Sequence, residues 1–298
     1  MTIKEAITHG IDLLKTNIES AWLEGYVLLG HVLKKERVYL ISHDDDLISS
    51  HEYNKFIAHV NERLKGIPLQ YITGNQEFMS LNFDVNPAVL IPRPETELLV
   101  GEVLKYISNI LGNNNVYILD IGAGSGCISV SLAYNSERSF ITAVDISKDA
   151  LKTAEHNAKK HRVKDRIFFV ESDMFKNLSK RKFDVIVSNP PYIPTGIIGG
   201  LQVEVKDNEP MRALDGGNDG LDCIRQIVDS AYCFLKPGGF LALEVGHDQA
   251  QIVAALMEKQ EKYENIRIVK DYSGIERIVT THLLAPSLKI EGEIEYSS

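Results

Sequence analysis

The chain has 298 residues, 44% of them apolar and 24% charged. That length suits two domains, and the composition excludes a disordered, collagen-like or disulfide-scaffold protein. Acidic residues outnumber basic ones by 41 to 32, a net charge of -9, which argues against a protein that holds a long polyanion by counterion release. No apolar run approaches the ~18 residues that span a bilayer. The amphipathic start MTIKEAITHGIDLLK has no apolar signal-peptide core. A cytoplasmic protein without membrane contact is expected. Cys127, Cys223 and Cys233 form no CxxC pair and no metal spacing, so they read as reduced thiols. His156 and His161 lie five apart, off the four-residue spacing that grips a metal on one helix face, and no metal site is expected.

Residues 1 to about 70 carry only helical patterns. Apolar residues recur at Ile3, Ala6, Ile7, Ile11 and Leu14, at Leu23, Val27, Leu28, His31 and Val32, and at Phe56, Val60 and Leu64. SHDDD (42–46) reads as a turn or capping cluster. From residue 75 the texture changes. Phe78, Leu81, Phe83 and Val85 alternate like a short hairpin, and Pro92-Arg93-Pro94 then breaks the chain before a helix that Pro94 can open.

Beyond Gly112 strands and helices alternate. The predicted strands are 116–122, 140–146, 166–172, 183–189, 240–246, 266–271 and 276–283. The helix 147–163 has Ser147 as its N-cap. Short Ile/Val-rich runs between helices predict a mostly parallel sheet covered on both faces. Only the link 271–274 separates the last two runs, which predicts an antiparallel pair there. The tail EGEIEYSS (291–298) is expected to fray.

Four motifs carry chemistry. LDIGAGSGCIS (119–129) is a strand, a glycine-rich turn and a helix start, suited to close approach of a ligand. Cys127 stands where the dinucleotide fingerprint needs its last glycine, so NAD or FAD is a poor match. Asp120 is placed to orient a cationic or amine-bearing group. Asp145 ends the next strand, about 20 residues on, where an acid accepts from ribose hydroxyls. In ESDMF (171–175), Asp173 can accept from an adenine amine, and Met174 or Phe175 can cover the base. In SNPPYIP (188–194), two prolines freeze the loop, and the Asn189 side chain and the Pro190 carbonyl offer two fixed acceptors. With the ring of Tyr192 they make a clamp for a planar –NH2 group.

These motifs resemble those of class I S-adenosylmethionine (SAM)-dependent methyltransferases, in which NPPY marks enzymes acting on planar amino nitrogens. NERLKGIPLQYITG (61–74), VLIPRPETE (89–97), EPMRALDGGNDGLD (209–222), LKPGGFLALEVGHDQ (235–249) and DYSGIERIV (271–279) extend the resemblance to the HemK/PrmC family. Pro92-Arg93-Pro94-Glu95 replaces the PRSP typical of a related enzyme for a ribosomal protein. The resemblance implies an α/β class I SAM-dependent methyltransferase fold, Rossmann-like, with a mostly parallel seven-stranded sheet and an antiparallel last strand. A small all-helical substrate-recognition domain (1–74) precedes it, joined by a β-hairpin to the catalytic part (75–298).

The implied activity is protein-(glutamine-N5) methylation of class 1 peptide-chain release factors, at the glutamine of a Gly-Gly-Gln motif. S-adenosyl-L-methionine is the cofactor and S-adenosyl-L-homocysteine the product. Residue by residue, Gly122, Ala123, Gly124, Ser125 and Gly126 would line the methionine part, with Asp120 also binding the cofactor. Asp145 would bind ribose, and Asp173 with Met174 would meet adenine. Met174 stands where relatives often place an aromatic. Asn189, Pro190, Pro191 and Tyr192 would hold the substrate glutamine, with Asn189, Pro190 and Tyr192 as the catalytic set and Asn189 also bordering the cofactor. The partner would be the release factor, with no nucleic acid or membrane, and the protein a monomer. A DNA adenine-N6 methyltransferase and a silent SAM-binding interaction protein are the alternatives. The net charge disfavours the first, and the intact NPPY the second.

Overall fold

The computed structural model describes residues 1–110, 114–179 and 181–285, so the tail at 291–298 lies outside the described residues. Five helices open the chain: α1 (Ile3–Leu14), α2 (Ala21–Leu33), α3 (Arg37–Ser42), α4 (Ser50–Leu64) and α5 (Leu69–Thr73). Thr2 and Ser49 start α1 and α4 with capping boxes, in which Glu5 and Glu52 return the hydrogen bond to the cap's own N–H. The α1 stripe buries Ile3, Ala6, Ile7 and Leu14 against Leu28, Leu29, Phe56 and Val60.

The buried face of α2 differs from the predicted one. Leu23 is exposed, while Ala21, Glu24, Gly25, Leu28 and Leu29 turn inward. Ala21, Leu28 and Leu29 join the apolar core there, and Glu24 turns inward onto Arg63. Arg63 Nε donates to Glu24 Oε2 at 2.6 Å, and Arg63 Nη1 donates to Glu204 Oε1 at 3.0 Å. The Arg63 and Glu24 side chains are each only 9% exposed. A charge buried that deeply is tolerated only because its partner is present. Asn208 Nδ2 adds a bond to the Gly66 carbonyl at 3.0 Å, so the helical region is tied to the segment after residue 200.

The hairpin of β1 (Asn75–Phe78) and β2 (Leu81–Asp84) follows, with Phe78, Leu81 and Phe83 buried as their alternation predicts. The helix α6 (Pro94–Ile110) starts at the predicted proline. Seven strands then form one sheet: β3 (Val116–Ile121), β4 (Ser139–Asp145), β5 (Ile167–Glu171), β6 (Phe183–Ser188), β7 (Leu235–Glu244), β8 (Tyr263–Lys270) and β9 (Glu276–Leu283). Their order is β5-β4-β3-β6-β7-β9-β8. The pairs from β5 to β7 are parallel, and β9 inserts between β7 and β8 antiparallel to both. Each predicted run is one of these strands, with ends that shift. The largest shift is in β7, which starts at Leu235 and carries Pro237, Gly238 and Gly239 through a pairing irregularity beside Phe183.

The connecting helices are α7 (Cys127–Asn135), α8 (Lys148–Lys160), α9 (Thr195–Ile198), α10 (Val203–Lys206), α11 (Asp222–Ala231) and α12 (Ala250–Lys259). Ser147 Oγ accepts the Ala150 N–H and caps α8, as predicted. Leu99, Val103, Ile128 and Leu132 from α6 and α7 cover one face of the sheet. Ile224, Ile227, Val253 and Met257 from α11 and α12 cover the other. This double cover is why β3 and β6 read as continuous apolar runs rather than alternating ones. From β3 the chain winds through β4 and β5 to one side, then returns through β6 and β7 on the other. A crevice opens at the carboxyl ends of the strands where the winding reverses.

Arg63→Ala leaves Glu24 buried without its partner. It should cost about 3 kcal/mol or more, and adding Glu24→Leu should recover part of that loss. Urea unfolding of the wild type and both variants checks this, and equal stability of Arg63→Ala and wild type would contradict it.

Candidate active site

The four motifs meet at that crevice around a cavity of about 260 Å³. The loop leaving β3 brings Gly122 and Gly124 to its wall, at φ of 79° and 54°. A Cβ on either would find no atom nearer than 3.9 Å, so both leave open space that a ligand can fill. Asp145, at the end of β4, lines the cavity beside them. Its Oδ2 accepts the Gly124 N–H at 2.9 Å and its Oδ1 accepts the Ser147 N–H at 2.8 Å. This carboxylate therefore ties the glycine loop to the cap of α8, and each oxygen keeps capacity for one more donor.

Asp173 and Met174, just beyond β5, also line the cavity. Asp173 Oδ2 pairs with Lys176 Nζ at 2.5 Å. Phe175 stacks on Phe234 with ring centroids 4.7 Å apart and joins the core, so Met174 is the one of the two that faces the cavity. Asn189, Pro190 and Pro191 form the wall beyond β6. Ser188 Oγ donates to the Ile121 carbonyl at 2.7 Å and pins the end of β6 to that of β3. Asn189 Nδ2 donates to Thr96 Oγ1 at 2.9 Å. Its Oδ1 has no hydrogen-bond partner among the described residues and remains an acceptor.

Five predicted site residues stand apart from the cavity wall. Asp120 is fully buried, and Ser129 Oγ donates to its Oδ2 at 2.5 Å. Its Oδ1 has no partner among the described residues, and burial raises the carboxyl to about 7. It is not among the residues that line the cavity. Ala123 spends its N–H on the Val144 carbonyl at 2.9 Å. The Ser125 carbonyl accepts from Asn157 Nδ2 at 2.9 Å. At Gly126 a Cβ would sit 2.9 Å from Ala154 Cβ, so this glycine serves the close approach of α7 to α8. Tyr192 packs into the core, with its hydroxyl 3.4 Å from Glu244 Oε1 and its carbonyl accepting Gln249 Nε2 at 2.9 Å. It braces the Asn-Pro-Pro loop from behind.

Periodicity missed Thr96 and Glu244, both buried, and the walls at 88–90 and 210–213. Arg93 Nη2 donates to Glu209 Oε1 at 2.6 Å, and the Ile91 N–H reaches Glu209 Oε2 at 3.4 Å, which clasps those two walls together. Their signal lay in the family stretches 89–97 and 209–222 rather than in any apolar pattern. Among the described residues no three His, Cys, Asp or Glu side chains are placed to hold a metal ion. None of the described helices is long and apolar enough to cross a membrane.

The sheet order, the glycine loop after β3, the acid after β4 and the Asn-Pro-Pro loop after β6 define a class I methyltransferase. Comparison with known proteins agrees. Residues 96–197 match the methyltransferase small domain and residues 5–74 the PrmC N-terminal domain. A release factor glutamine methyltransferase of Moorella thermoacetica is 40% identical over 93% of this chain and 97% of its own length. One of Clostridium acetobutylicum is 39% identical over 94% of this chain and 98% of its own. A T. thermophilus 16S rRNA N2 methyltransferase, solved with AdoMet and guanosine, shares the fold over 70% of this chain and 49% of its own, with a TM-score of 0.52 and 18% identity. The chain belongs to the release factor glutamine methyltransferase family.

The buried Asp120 makes stability depend on pH. A carboxyl raised on folding from 3.8 to about 7 contributes its full stability below the lower value and loses it as pH rises through the upper. Asp120→Asn, which removes that titration, should gain thermal stability relative to wild type at pH 8 compared with pH 5. Thermal melts of both proteins at the two pH values test this, and a pH-independent difference would contradict it.

Proposed function

We propose that this protein transfers the methyl group of S-adenosyl-L-methionine to the side-chain amide nitrogen of a release-factor glutamine, the one in the Gly-Gly-Gln motif of class 1 factors. The observation that carries this reading is Asn189. Its –NH2 is engaged by Thr96, which leaves Oδ1 as an acceptor on a residue that lines the cavity together with Pro190. Family membership supports the same substrate. It does not favour a DNA adenine enzyme or a silent interaction module.

The residues present fit the cofactor. Gly122 and Gly124 leave room for its methionine end, the Asp145 carboxylate suits two ribose hydroxyls, and Asp173 with Met174 suits adenine. When bound, the cofactor supplies a methyl group on a sulfonium, open to direct displacement. The chain's own work is positioning. A glutamine amide nitrogen is a poor nucleophile because its lone pair is delocalised into the carbonyl. Asn189 Oδ1 and the Pro190 carbonyl accept its two hydrogens and hold the nitrogen in line. They also favour its partial pyramidalisation, and one proton leaves to solvent after transfer. Residues 1–74 serve as the recognition domain for the protein substrate and 75–298 as the catalytic part. Action on a translation factor, as the relatives' names state for those proteins, supports a place in the cytoplasm.

Incubation with labelled S-adenosyl-L-methionine, a class 1 release factor and a DNA duplex tests this. Label should enter the release factor alone, and none should enter a factor whose Gly-Gly-Gln glutamine is replaced by alanine. Label in DNA, or label that ignores that replacement, would overturn the reading.

Two substitutions refine it. Asp145→Ala removes the ribose acceptor and unties the glycine loop, with hydrogen bonds to a charged group worth about 1.5–3 kcal/mol each before water replaces them. Cofactor affinity by calorimetry should fall several-fold to ~100-fold, and unchanged affinity would remove Asp145 from the site. Asn189→Ala should lower the single-turnover rate by about 10²-fold with cofactor affinity near wild type.

A further inference from the structure

Part of the cavity wall is backbone that belongs to no helix or strand. Ala88, Val89 and Leu90 line the cavity in the connection between β2 and α6. Irregular backbone has no ladder of hydrogen bonds, so its place depends on a few individual ones. The Ala88 N–H donates to Asn86 Oδ1 at 2.9 Å, and the Val89 N–H to the Asn86 carbonyl at 3.1 Å. These two bonds shape a local turn. Asn86 Nδ2 then donates to Thr153 Oγ1 of α8 at 3.0 Å. The Val89 carbonyl is fastened from another part of the chain. Tyr71 of α5 donates its hydroxyl to that oxygen at 2.6 Å.

The Tyr71 side chain also packs at the same place. Val85, Val89 and Ala150 form a small buried cluster, and Tyr71 lies against it. Val89 and Ala150 both line the cavity. Ala150 is in the first turn of α8, and its N–H goes to the Ser147 cap. The Ser147 N–H in turn goes to Asp145. One tyrosine of the N-terminal helical region thus meets two cavity-lining residues, by a hydrogen bond to one and by packing against the cluster that holds both.

The wall at 210–213 is tied to the same region. Arg63 donates to Glu204, and Asn208 donates to the Gly66 carbonyl. Glu209 then accepts from Arg93 and from the Ile91 N–H, which follow the 88–90 segment. Both walls are therefore fastened to residues 63–71 and to each other.

We propose that Tyr71 is a positioning residue for the cofactor, and that the N-terminal helical region, besides recognising the protein substrate, builds part of the cofactor cavity by holding the Val89 carbonyl. This rests on the reading of the cavity as the S-adenosyl-L-methionine site. Without the Tyr71 hydroxyl, a buried carbonyl loses its donor and the 88–90 segment loses a fixed point. Binding must then order that segment, and the ordering is taken from cofactor affinity. The hydroxyl is spent on Val89 and takes no part in the transfer itself, so the rate with cofactor saturating is spared.

The test is calorimetric titration of S-adenosyl-L-homocysteine into the full-length wild type, Tyr71→Phe and Tyr106→Phe, with steady-state methylation of a release factor alongside. Tyr71→Phe keeps the ring and removes only the donor. Its dissociation constant should rise about fivefold to about tenfold. KM for S-adenosyl-L-methionine should rise by the same factor, while kcat stays within about twofold of wild type. Tyr106→Phe is the control. It removes the same group from the Gly238 carbonyl, 3.0 Å away near the start of β7, at the sheet edge opposite the cavity. Its cofactor affinity should stay within about twofold of wild type, even where thermal melts show lower stability. Wild-type affinity in Tyr71→Phe, a fall in its kcat that exceeds the rise in KM, or an equal loss of affinity in Tyr106→Phe would each overturn the proposal. A wild type that binds no S-adenosyl-L-homocysteine would instead overturn the reading of the cavity, and the role of Tyr71 with it.

Discussion

The reversal of winding at β3 is the constraint on which the rest depends. Two strands are laid to one side of β3 and four to the other, so the loops leaving β3 and β6 must diverge at the carboxyl edge. The crevice follows from chain topology and needs no special residue to open it. What the sequence adds is the set of short polar side chains that fix those loops. Asp145 holds Gly124 to Ser147, Ser188 holds β6 to the Ile121 carbonyl, and Thr96 holds Asn189. Each is a neutral or backbone-directed hydrogen bond at a strand or helix end, where orphan backbone groups need partners.

The same kind of bond holds the rest of the cavity wall. Two prolines fix the loop after β6 without giving up its carbonyls, and Tyr192 anchors it from behind through Gln249. The Arg93–Glu209 clasp joins the wall before α6 to the wall after α10. Arg63 with Glu24 and Glu204 joins that second wall to the helical N-terminal region. The N-terminal helices are thus linked to the cavity walls through ion pairs that are wholly or partly buried.

Much of the fold was legible in the sequence because its signals are local. Ser147 as a cap, Pro94 as a first helical residue and the alternation through Phe78, Leu81 and Phe83 depend on neighbours within a few positions. The strands of the sheet were visible because β3 and β6 are buried on both sides. The inward face of α2 was not visible, because Glu24 is buried by Arg63, 39 residues away. At the site, motif spacing found the cavity residues Gly122, Gly124, Asp145, Asp173, Met174, Asn189, Pro190 and Pro191. It also gathered Asp120, Ala123, Ser125, Gly126 and Tyr192, which sit behind the wall. A motif marks the segment that approaches a ligand, but which side chains face it is set by strand pleat and helix packing. Spacing alone does not carry that information, and it does not reveal Thr96, which holds the Asn189 side chain.

In the proposed reaction Asn189 Oδ1 and the Pro190 carbonyl hold the two hydrogens of a glutamine side-chain amide. The most direct measurement is a crystal structure of the protein with S-adenosyl-L-homocysteine and a peptide carrying Gly-Gly-Gln. The glutamine nitrogen should lie at hydrogen-bond distance, about 3 Å, from both acceptors. The Asn189 –NH2 should still be on Thr96. A glutamine amide bound elsewhere, or one that meets the Asn189 –NH2 instead of its oxygen, would contradict it.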